Sequence, residues 1–404
     1  MKIGAFAKQN RVGIDTIRHY IDLGLLLPQK AGKQYDFDPQ CQSDFGQILF
    51  LKSLGFSLTE IKEIFIVRHL GKMTALRQQE HYKNLFFKKA RGIDGEIEKL
   101  RREKSLLEAE LRKMETAQPQ KRWRTGVDLR WLPLLRCDRC GGPLRLKEAA
   151  VDDDRVLSGR LCCACGEEYT IADGILYVGE PCRETGSIPD ILTYIRQTDG
   201  EYLRQFDKTL RWSTRQLEPD ALAGKVLLEP GCGNGFFLRQ ICDRLPDDAV
   251  YIAVDRDPER LRFLKEVLEK AEKKAGVLLI CCDFARIPLK DRSVDVVCDI
   301  SGTSNYSFDH SEFLPRVIER AFKPDASLIG SYIIFQNFAP QNRIPAGCRP
   351  NFQIGPIQNG LEKLGFACLA EEVSDTVAKG GVFEDYFSDG EKILNYGFAG
   401  KRPG

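Results

Sequence analysis

Five short apolar segments follow one another between residues 226 and 335 of this 404-residue chain, and polar segments separate them. Their sequences are VLLEP, YIAVD, VLLICCD, VDVVCDIS and SLIGSYIIF. Runs of this length suit buried strands. Strands that alternate with helices form a parallel, doubly wound sheet, and ligands bind at the carboxyl ends of its strands. The pattern therefore predicts an α/β domain with a ligand site at that edge.

The first of these strands leads into a glycine-rich turn. Gly231, Gly233 and Gly235 follow the acid Glu229. Phe236 occupies the place of the third glycine of a dinucleotide-binding fingerprint. The glycines allow a ligand to approach the backbone closely. A glycine-rich turn alone is weak support for any one cofactor, so the residues that follow decide its meaning.

Acidic residues end the next two strands. Asp255 ends the second strand, where a carboxylate can accept hydrogen bonds from both hydroxyls of a ribose. Asp283, followed by Phe284, ends the third strand. A single acid at a strand end is more often a cap than a ligand. The order of these acids nevertheless favours a nucleoside cofactor over a generic α/β domain.

These motifs resemble the class I S-adenosylmethionine-dependent methyltransferases over the C-terminal half of the chain. FKPDAS, residues 322–327, resembles a turn of that family, although an aspartate and an alanine replace its pair of glycines. The resemblance implies a Rossmann-like domain in which Glu229 lies near the methionine end of S-adenosylmethionine and Asp255 binds the ribose. Asp283 would accept a hydrogen bond from the adenine amine beside Phe284. The implied cofactor site consists of Glu229, Gly231, Gly233, Gly235, Asp255, Asp283 and Phe284.

The segment after the fourth strand, residues 301–310, carries the candidate residues for methyl transfer. It lacks the Asn-Pro-Pro-Tyr signature of base and amide methylation, so it does not point to methylation of DNA. His310 is the only plausible general base in it, and it is equally typical of a surface residue at the start of a helix. Asn305 and Tyr306 are expected to line the acceptor pocket. A base is optional because the sulfonium already makes the methyl group electrophilic.

The segment from residue 187 to 217 precedes the first strand and is expected to form a helical cover over the acceptor. Its aromatic residues are Tyr194, Tyr202, Phe206 and Trp212. Aromatic residues at mixed spacing are more typical of core packing than of a binding pocket. We therefore interpret this set as packing.

The first 28 residues have the pattern of two short helices around a turn. Phe6 and Ala7 belong to the first helical period, NRVG interrupts it, and a second period follows. Such a helix-turn-helix places its second helix in a major groove. KAGKQYDF has the glycine and aromatic content of a two-stranded wing. Further on, Ser57 and Glu60 have the spacing of a capping box before another helix.

The segments DTIRHYIDLGLLLP and LKSLGFSLTEIKEI resemble the mercury-resistance-regulator (MerR) family of transcription factors, and the likeness covers about the first 118 residues. The resemblance implies an all-α winged helix-turn-helix domain that binds double-stranded promoter DNA through its second helix and its wing. The DNA-binding residues that it implies are Arg18, His19, Tyr20, Lys30 and Tyr35. Asp36 stands where the family often has arginine, and an acid disfavours phosphate contact at that point of the wing.

A heptad pattern runs from Phe86 to Met114. Its steps alternate between four and three residues, which is the coiled-coil period rather than that of a helix on a core. The seam consists of Phe86, Ala90, Ile93, Ile97, Leu100, Lys104, Leu107, Leu111 and Met114. The pattern ends at Gln118 and Pro119. In the MerR family this helix forms an antiparallel dimer, so we expect a homodimer that binds two half-sites.

Two cysteine pairs, Cys137 with Cys140 and Cys162 with Cys165, are separated by 21 residues. This spacing is close to that of a zinc ribbon, in which four thiolates bind one Zn2+ and stabilise a short segment. Cys163 lies inside the second pair, and we interpret it as a bystander that can substitute as a ligand. The segment resembles the small zinc-ribbon activator proteins of tRNA methyltransferases. Its ribbon is expected to be structural.

The net charge of +2 conceals an asymmetry. Up to Arg136 the chain has 26 Lys and Arg against 16 Asp and Glu, and the remainder has 34 against 42. A basic N-terminal part and an acidic C-terminal part are typical of a nucleic-acid-binding domain fused to a domain of another kind. A coiled coil with an excess of positive charges would produce the same distribution. No apolar run has the length of a signal peptide or a membrane span, so we expect a cytoplasmic protein without membrane contact.

The motifs together predict a multidomain chain. Its predicted parts are a DNA-binding domain in residues 1–72, a coiled-coil dimerisation helix in 73–118, a linker and zinc ribbon in 119–180, and a methyltransferase domain with a helical cover in 181–404. Two functions stay open. In the first, a promoter-binding regulator also methylates a small molecule. In the second, the methyltransferase-like domain only binds S-adenosylmethionine or another effector, and this binding changes transcription.

Overall fold

The computed structural model describes the chain except for residues 33, 71–74, 117–122, 180–190, 272–274, 385 and 387. The chain divides into two compact units, Met1–Gln118 and Pro119–Gly404. The predicted domain boundaries after residues 72, 118 and 180 fall outside the described residues, so they stay predictions. Of the helices in the described part, none is long and apolar enough to cross a membrane.

The first unit begins with the predicted helix-turn-helix and two-stranded wing. Its elements are α1 (Ile3–Gln9), α2 (Ile14–Asp22), β1 (Gln29–Ala31), β2 (Gln34–Asp36), α3 (Pro39–Ser53), α4 (Leu58–Leu70) and α5 (Ala75–Thr116). Phe6 of α1 stacks on Phe37 with ring centroids 4.4 Å apart, and it meets Phe45 of α3 edge-on at 5.7 Å. These buried rings join the wing to α1 and α3 in one small core.

Side-chain caps determine where α3 and α4 begin. The carboxylate of Asp38 accepts a hydrogen bond from Cys41 N at 2.8 Å, at the start of α3. Ser57 and Glu60 form the predicted capping box before α4. Ser57 N donates to Glu60 Oε2 at 2.7 Å, and Glu60 N donates to Ser57 Oγ at 3.3 Å. Both caps satisfy amide groups that a helix leaves unpaired in its first turn.

The 42-residue helix α5 carries the predicted heptad seam on its surface. Ile97, Leu107 and Met114 are 41%, 67% and 71% exposed. Ile93 and Leu111 are exposed as well. A row of exposed apolar side chains is what a partner helix would cover. The coiled coil itself stays a prediction.

The second unit is built on one mixed sheet. Its strands are β3 (Val127–Asp128), β4 (Leu144–Asp152), β5 (Arg155–Cys163), β6 (Glu168–Ala172), β7 (Ile175–Tyr177), β8 (Val226–Pro230), β9 (Val250–Asp255), β10 (Val277–Cys281), β11 (Val294–Ile300), β12 (Phe322–Phe335), β13 (Ala367–Val373) and β14 (Ile393–Lys401). In the α/β part the order is β10-β9-β8-β11-β12-β14-β13. The strands from β10 to β12 are parallel, as predicted, and β14 runs antiparallel to both of its neighbours.

Both faces of this sheet are buried. Along β8, Val226 and Leu228 belong to one hydrophobic core and Leu227 to the other, which explains why the strand is apolar at successive positions. The helices of this unit are α6 (Ile191–Gln197), α7 (Gly200–Arg215), α8 (Leu238–Ile241), α9 (Pro258–Leu268), α10 (Gly302–Tyr306), α11 (Leu314–Val317) and α12 (Ile354–Lys363). The helices α6 and α7 lie in the segment predicted to form a helical cover, and residues 187–190 of that segment lie outside the described part.

The FKPDAS segment, predicted as a turn before the fifth strand, lies within β12 instead. The pairing of β12 with β11 shifts register there, so extra residues bulge out of the ladder. Lys323 in the bulge donates a hydrogen bond to the buried carboxylate of Asp295 at 2.8 Å, and Lys225 donates to the same carboxylate at 3.2 Å. The two ammonium groups neutralise a buried charge, and they hold the bulge in place.

A cysteine module, residues 127–178, extends the sheet beyond β10. Its strand β7 pairs in parallel with β10, and β6, β5 and β3 follow in that order, while β4 also pairs with β5. Arg136 N donates to Pro288 O at 2.9 Å, and Lys290 N donates to Leu134 O at 2.8 Å. Within the described residues, the cysteine module and the α/β strands therefore share one continuous sheet.

Candidate functional site

A cavity of about 580 Å³ opens at the carboxyl ends of β8, β9, β10 and β11, which is the edge where the sequence predicts a ligand. Its volume is in the usual range for a cofactor-binding cleft. Among the described lining residues, ten are aromatic and five are acidic, against two arginines. An excess of carboxylates around a partly enclosed space favours a cationic ligand.

The glycine-rich turn borders this cavity. Gly231 and Gly233 have φ angles of +74° and +54°, a left-handed conformation that favours glycine. A Cβ atom on Gly231 would lie 3.0 Å from Cα of Gly302, the first residue of α10, so a side chain there would push the glycine-rich turn away from this helix. Gly235 lies behind the cavity. A Cβ atom on it would be 2.3 Å from Cδ1 of Leu264 in α9, so Gly235 permits close packing of this helix.

Asn234 lies in the same turn and lines the cavity, and the sequence analysis did not select it. Its Oδ1 atom is buried and has no hydrogen-bond partner among the described residues. Leaving a buried acceptor unpaired costs about 1–3 kcal/mol. A ligand that brings a hydrogen-bond donor to this point fits the turn.

Asp255 lies at the end of β9 and holds the glycine-rich turn in place. Its Oδ2 accepts a hydrogen bond from Gly233 N at 2.8 Å, and its Oδ1 accepts one from Asp257 N at 2.9 Å. Burial raises the pKa of Asp255, although the charge of Arg260 and the two backbone donors act in the opposite direction. Each carboxylate oxygen keeps a second lone pair, so the group can also accept from ligand hydroxyls.

Glu229 lies at the end of β8 and is 2% exposed. Its Oε2 accepts a hydrogen bond from the hydroxyl of Tyr251 at 2.7 Å. Burial raises the pKa of Glu229 to about 8, and the hydrogen bond from Tyr251 only partly offsets this effect. A buried carboxyl in the wall of a cavity is suited to a cation, because a cation would favour the ionised form.

Asp283 and Phe284 line the cavity after β10. Asp283 caps the 3-10 turn Phe284–Arg286, where its Oδ1 accepts a hydrogen bond from Ala285 N at 2.9 Å. The ring of Phe284 is buried, with its centroid 6.0 Å from that of Tyr306. The residues that the sequence selects for the cofactor thus come from three successive strand ends, and all of them except Gly235 line one cavity.

His310 also lines the cavity, together with Asn305 and Tyr306. The His310 ring stacks on Tyr306 at 4.1 Å and 7° between planes, and its Nδ1 lies 3.1 Å from Tyr306 O. A carbonyl oxygen only accepts, so Nδ1 donates and Nε2 of the neutral ring keeps its lone pair. The imidazole of His310 therefore lies in the cavity wall, and its contacts with Tyr306 fix its orientation.

The loop between β13 and β14 adds a carboxylate that the sequence analysis missed. Glu384 accepts hydrogen bonds from the hydroxyls of Tyr194 at 2.6 Å and Tyr202 at 3.1 Å. The hydroxyl of Tyr202 also lies 2.9 Å from that of Tyr386. Glu384 is separated from Tyr202 by 182 positions in the chain, and no local pattern marks their contact. These four residues line the cavity, and we call them the Glu384 cluster.

The aromatic residues of the helical cover divide between two roles. Tyr194, Tyr202 and Phe206 line the cavity. Tyr202 also belongs to a hydrophobic core and Phe206 packs against another, so their interpretation as core packing is incomplete. Trp212 packs against the sheet, where its ring lies 2.7 Å from the position of a Cβ atom on Gly397. The spacing of the four residues does not distinguish these roles, because it does not show which side of α7 faces the cavity.

Four sulfur atoms of the cysteine module lie within 4.8 Å of one another, those of Cys137, Cys140, Cys163 and Cys165. Cys137 Sγ is 3.6 Å from Cys165 Sγ, and Cys140 Sγ is 3.4 Å from Cys163 Sγ. A tetrahedron with metal–sulfur bonds of about 2.3 Å has sulfur–sulfur edges of about 3.8 Å. The donor set therefore fits Zn2+.

Cys162, which the sequence analysis selects as the fourth ligand, lies outside this cluster, and Cys163 takes its place. The two residues are neighbours in β5, and successive side chains of a strand point to opposite faces of the sheet. The thiol of Cys162 instead lies 3.4 Å from Glu168 Oε1, to which it donates. The first pair and Cys165 meet as predicted, and the alternation of the strand explains the exchange.

Polar contacts join the sulfur cluster to the cavity wall. The hydroxyl of Tyr169 contacts the carboxylate of Asp138 and lies 3.3 Å from Cys137 Sγ. Arg286 Nε donates to Asp138 Oδ2 at 2.6 Å. Arg286 ends the turn that begins with Phe284, so the cysteine module is tied to a segment that lines the cavity.

In the first unit, Arg18, His19 and Lys30 are exposed. Arg18 forms an ion pair with Asp15, one turn earlier in α2, at 3.0 Å. Lys30 is paired with the half-buried Tyr35 across the two strands of the wing. These four side chains are all accessible on α2 and the wing, the elements that the sequence selects for DNA.

Tyr20 differs from the other selected residues because it is 3% exposed. Its ring packs 6.1 Å from that of Phe45, and Lys52 Nζ donates to its hydroxyl at 3.4 Å. The structure thus places Tyr20 in the core of the unit, on the buried face of α2.

Comparison with known protein families finds two matches. Residues 1–65 match the MerR HTH family regulatory protein model. Residues 222–372 match a model described as Methyltransferase domain. No curated protein matches the chain.

Solved structures are similar to about half of the chain. The MccD protein is 12% identical with a TM-score of 0.38, and the match covers 48% of this chain and 97% of that protein. A SAM dependent methyltransferase from Aquifex aeolicus is 18% identical with a TM-score of 0.35, covering 53% and 99%. Magnesium protoporphyrin IX methyltransferase from Synechocystis PCC 6803, with bound SAH, is 13% identical with a TM-score of 0.36, covering 54% and 90%.

The matched ranges include the residues predicted to bind DNA and those predicted to bind the cofactor. The first contains α1, α2, the wing and α3, and the second contains β8 to β12 with the glycine-rich turn, Asp255 and Asp283. The chain thus carries a MerR-type helix-turn-helix domain in its N-terminal part and a methyltransferase domain in its C-terminal part.

Proposed function

We propose that the protein is a dimeric, DNA-binding transcriptional regulator whose C-terminal domain binds S-adenosylmethionine and methylates a small molecule. The observation that carries the proposal is the single cavity at the strand ends. It brings together Glu229, the turn with Gly231 and Gly233, Asp255 and Asp283. S-adenosylmethionine is a nucleoside with a cationic sulfonium and a zwitterionic end, so it needs ribose and adenine acceptors and tolerates acidic walls.

Each part of this cavity suits one part of the cofactor. Asp255 would accept hydrogen bonds from the ribose hydroxyls while it keeps its bonds to Gly233 N and Asp257 N. Asp283 would accept from the adenine amine, and Phe284 would lie alongside the base. Glu229 and the unpaired Oδ1 of Asn234 lie on the side of the glycine-rich turn, where they would meet the positively charged end.

The acceptor would enter beside β11. The bound cofactor supplies an electrophilic methyl group, and the protein has to align the acceptor with it. His310 would accept a proton at Nε2, because its Nδ1 is occupied by the bond to Tyr306 O. The helical cover, whose Tyr194 and Phe206 line the cavity, would exclude water from that side.

In the N-terminal unit, we propose that α2 and the wing bind promoter DNA. Arg18, His19 and Lys30 are exposed there. We also propose that the exposed seam of α5 pairs with that of a second copy of the chain. The dimer would then place two helix-turn-helix domains on two half-sites of the DNA.

In the cysteine module, we propose that Cys137, Cys140, Cys163 and Cys165 bind Zn2+. A metal at this point would stabilise strands that extend the sheet beside the cavity. This role is structural.

Methyl-labelled S-adenosylmethionine and fractionated extract of the producing cells test the proposal. We expect label in one or a few small-molecule fractions, and none with Asp255→Asn, whose amide cannot accept from both backbone donors and the ribose. Asp248→Asn, which changes an exposed acid, is the matched control and should transfer label normally. Tight cofactor binding without label in any fraction would contradict the enzyme proposal and would favour the alternative, a regulator that only senses the cofactor or another ligand.

A further inference from the structure

The Glu384 cluster lies in the cavity but has no part in the proposed cofactor site. Its carboxylate accepts hydrogen bonds from tyrosine hydroxyls, which stabilise the charge without neutralising it. Glu384 comes from the loop after β13, outside the range that matches the methyltransferase model. Its tyrosine partners Tyr194 and Tyr202 come from the helical cover. The cluster therefore belongs to the parts of this chain that surround the matched domain.

Further aromatic rings pack against the tyrosines of the Glu384 cluster. The ring of Tyr194 lies 6.0 Å from Phe236 and 6.1 Å from Phe383, and the ring of Tyr386 lies 5.1 Å from Phe308. All of these rings line the cavity. Ring faces attract cations, most strongly where water is excluded, and a carboxylate adds a full charge. A set of aromatic rings around one acid is the arrangement that binds ammonium groups.

Two arginines, Arg256 and Arg260, line the same cavity. Asp309, another acid of the cavity, has Arg256 as an ion partner at 3.9 Å. Arg260 lies close enough to Glu384 to lower the pKa of its carboxyl, but burial is the larger effect and raises it. Because burial raises its pKa, the Glu384 carboxyl holds a proton more readily than an exposed carboxyl would.

From these contacts we infer that the methyl acceptor is an amine and that its nitrogen binds in the Glu384 cluster. The inference rests on the proposed function and names its substrate class. A hydroxyl or thiol acceptor would gain only a hydrogen bond to the carboxylate and no cation attraction to the rings, and a carboxylate acceptor would be repelled by it. A protonated or methylated amine gains both contacts.

The reaction balances with the groups present. For an amine bound in this cluster, Glu384 takes the proton-accepting role that the proposed function gives to His310. The protonated amine first gives one proton to the Glu384 carboxylate, which leaves a nitrogen lone pair. That lone pair forms the new carbon–nitrogen bond as the carbon–sulfur bond breaks, and the bond electrons remain on sulfur as a neutral thioether. A primary or secondary amine leaves as the methylated ammonium ion, and Glu384 returns the proton that it took to solvent. A tertiary amine gives a quaternary ammonium product without further proton loss.

Tetramethylammonium is the probe for binding, because it is a cation of the right class and cannot itself be methylated. Calorimetric titration of the full-length protein, saturated with S-adenosylhomocysteine, should show binding. Glu384→Gln keeps the shape and removes the charge, so we expect the affinity for the probe to fall about tenfold, equivalent to about 1.4 kcal/mol. Asp389→Asn, which removes an exposed acid from the same loop, is the matched control and should bind the probe like the wild type.

Tyr194→Leu is a second variant, because it removes a ring and leaves Glu384 in place. We expect it to weaken probe binding several-fold while S-adenosylhomocysteine binding is retained. In turnover, wild-type protein with methyl-labelled cofactor should label members of a panel of primary, secondary and tertiary amines, and should leave matched alcohols and thiols unlabelled.

Three results would overturn the inference. The first is equal probe affinity in the wild type and in both variants. The second is an equal loss of S-adenosylhomocysteine affinity in Glu384→Gln, since the cluster would then hold the amino group of the cofactor. The third is labelling of alcohols or thiols alone. A wild-type protein that binds the probe but neither S-adenosylmethionine nor S-adenosylhomocysteine would instead refute the proposed function and leave an ammonium-binding site.

Discussion

At the scale of single residues, the buried carboxyl of Glu229 makes the free energy of unfolding of the ligand-free protein depend on pH. Burial raises its pKa from 4.5 to about 8, against the hydrogen bond from Tyr251. Between these two pH values the folded state binds a proton that the unfolded state has lost. The free energy of unfolding therefore falls as pH rises through this range, by up to about 1.4 kcal/mol per pH unit for this group, and levels off above about pH 8.

Glu229→Gln tests this expectation, because the amide stays neutral at every pH. Urea unfolding of the cofactor-free protein at pH 5, 6.5 and 8 should show the variant gaining stability relative to the wild type as pH rises. Asp299, whose pKa burial raises to about 6, acts in the same direction in both proteins and cancels in the comparison. Glu266→Gln, at an exposed position, should show a constant difference, and the same constant difference in Glu229→Gln would refute the assignment.

The neighbours Cys162 and Cys163 offer a second test at the residue scale. Cys163→Ser removes one of the four clustered thiols, whereas Cys162→Ser removes a thiol on the opposite side of the strand. We expect purified wild type and Cys162→Ser to hold one zinc per chain by atomic absorption. Cys163→Ser should hold less and should unfold at lower temperature, because metal binding contributes folding free energy. Loss of zinc in Cys162→Ser but not in Cys163→Ser would identify Cys162 as the ligand instead.

The two cysteines and Glu384 also show what the sequence can reveal about a site. Strand alternation indicates that Cys162 and Cys163 face opposite sides of β5, so the sequence narrows the fourth ligand to one of these two residues. Glu384 is different. Its role depends on a loop that folds back to Tyr194 and Tyr202, and no spacing in the sequence predicts the hydrogen bonds between them. Residues that follow strand ends in a known order, such as Asp255, are the ones that a sequence can place.

At the scale of elements, the exposed seam of α5 makes the oligomeric state testable. Leu106 and Leu107 are adjacent and 70% and 67% exposed, but only Leu107 lies on the heptad seam. A charge on the seam would be buried against a partner helix, whereas a charge beside it would stay in water. We expect Leu107→Asp to sediment as a monomer and Leu106→Asp to sediment as a dimer. Identical behaviour of the two variants would refute the coiled coil.

Elements whose boundaries depend on local chemistry were predictable. The capping box of Ser57 and Glu60 precedes α4, and the apolar runs from β8 to β11 became strands. Two features depended on distant partners and were not predictable. The pairing of β7 with β10 extends the sheet into the cysteine module, and the bulge of β12 takes its shape from the contact of Lys323 with Asp295. Register between strands that are far apart in the chain leaves little trace in either strand.

At the scale of the whole molecule, charge separates the two proposed activities. The segment up to Arg136 has an excess of ten positive charges, and the remainder has an excess of eight negative charges. A basic segment attracts the phosphates of DNA, and an acidic one repels them. The methyltransferase part is therefore expected to add little affinity for DNA, and the salt dependence of binding should come from α2 and the wing.

The salt dependence of DNA binding tests this division of charge. The logarithm of the affinity for a footprinted promoter fragment should fall linearly with the logarithm of the salt concentration. A double variant, Arg18→Ala with Lys30→Ala, removes two exposed cations per chain and four per dimer. Each lost phosphate contact lowers the slope by about 0.9, so the total reduction should be about 3 to 4. Arg211→Ala removes an exposed cation from α7 and should leave the slope unchanged. Equal slopes for the wild type and the double variant would show that other residues hold the DNA backbone.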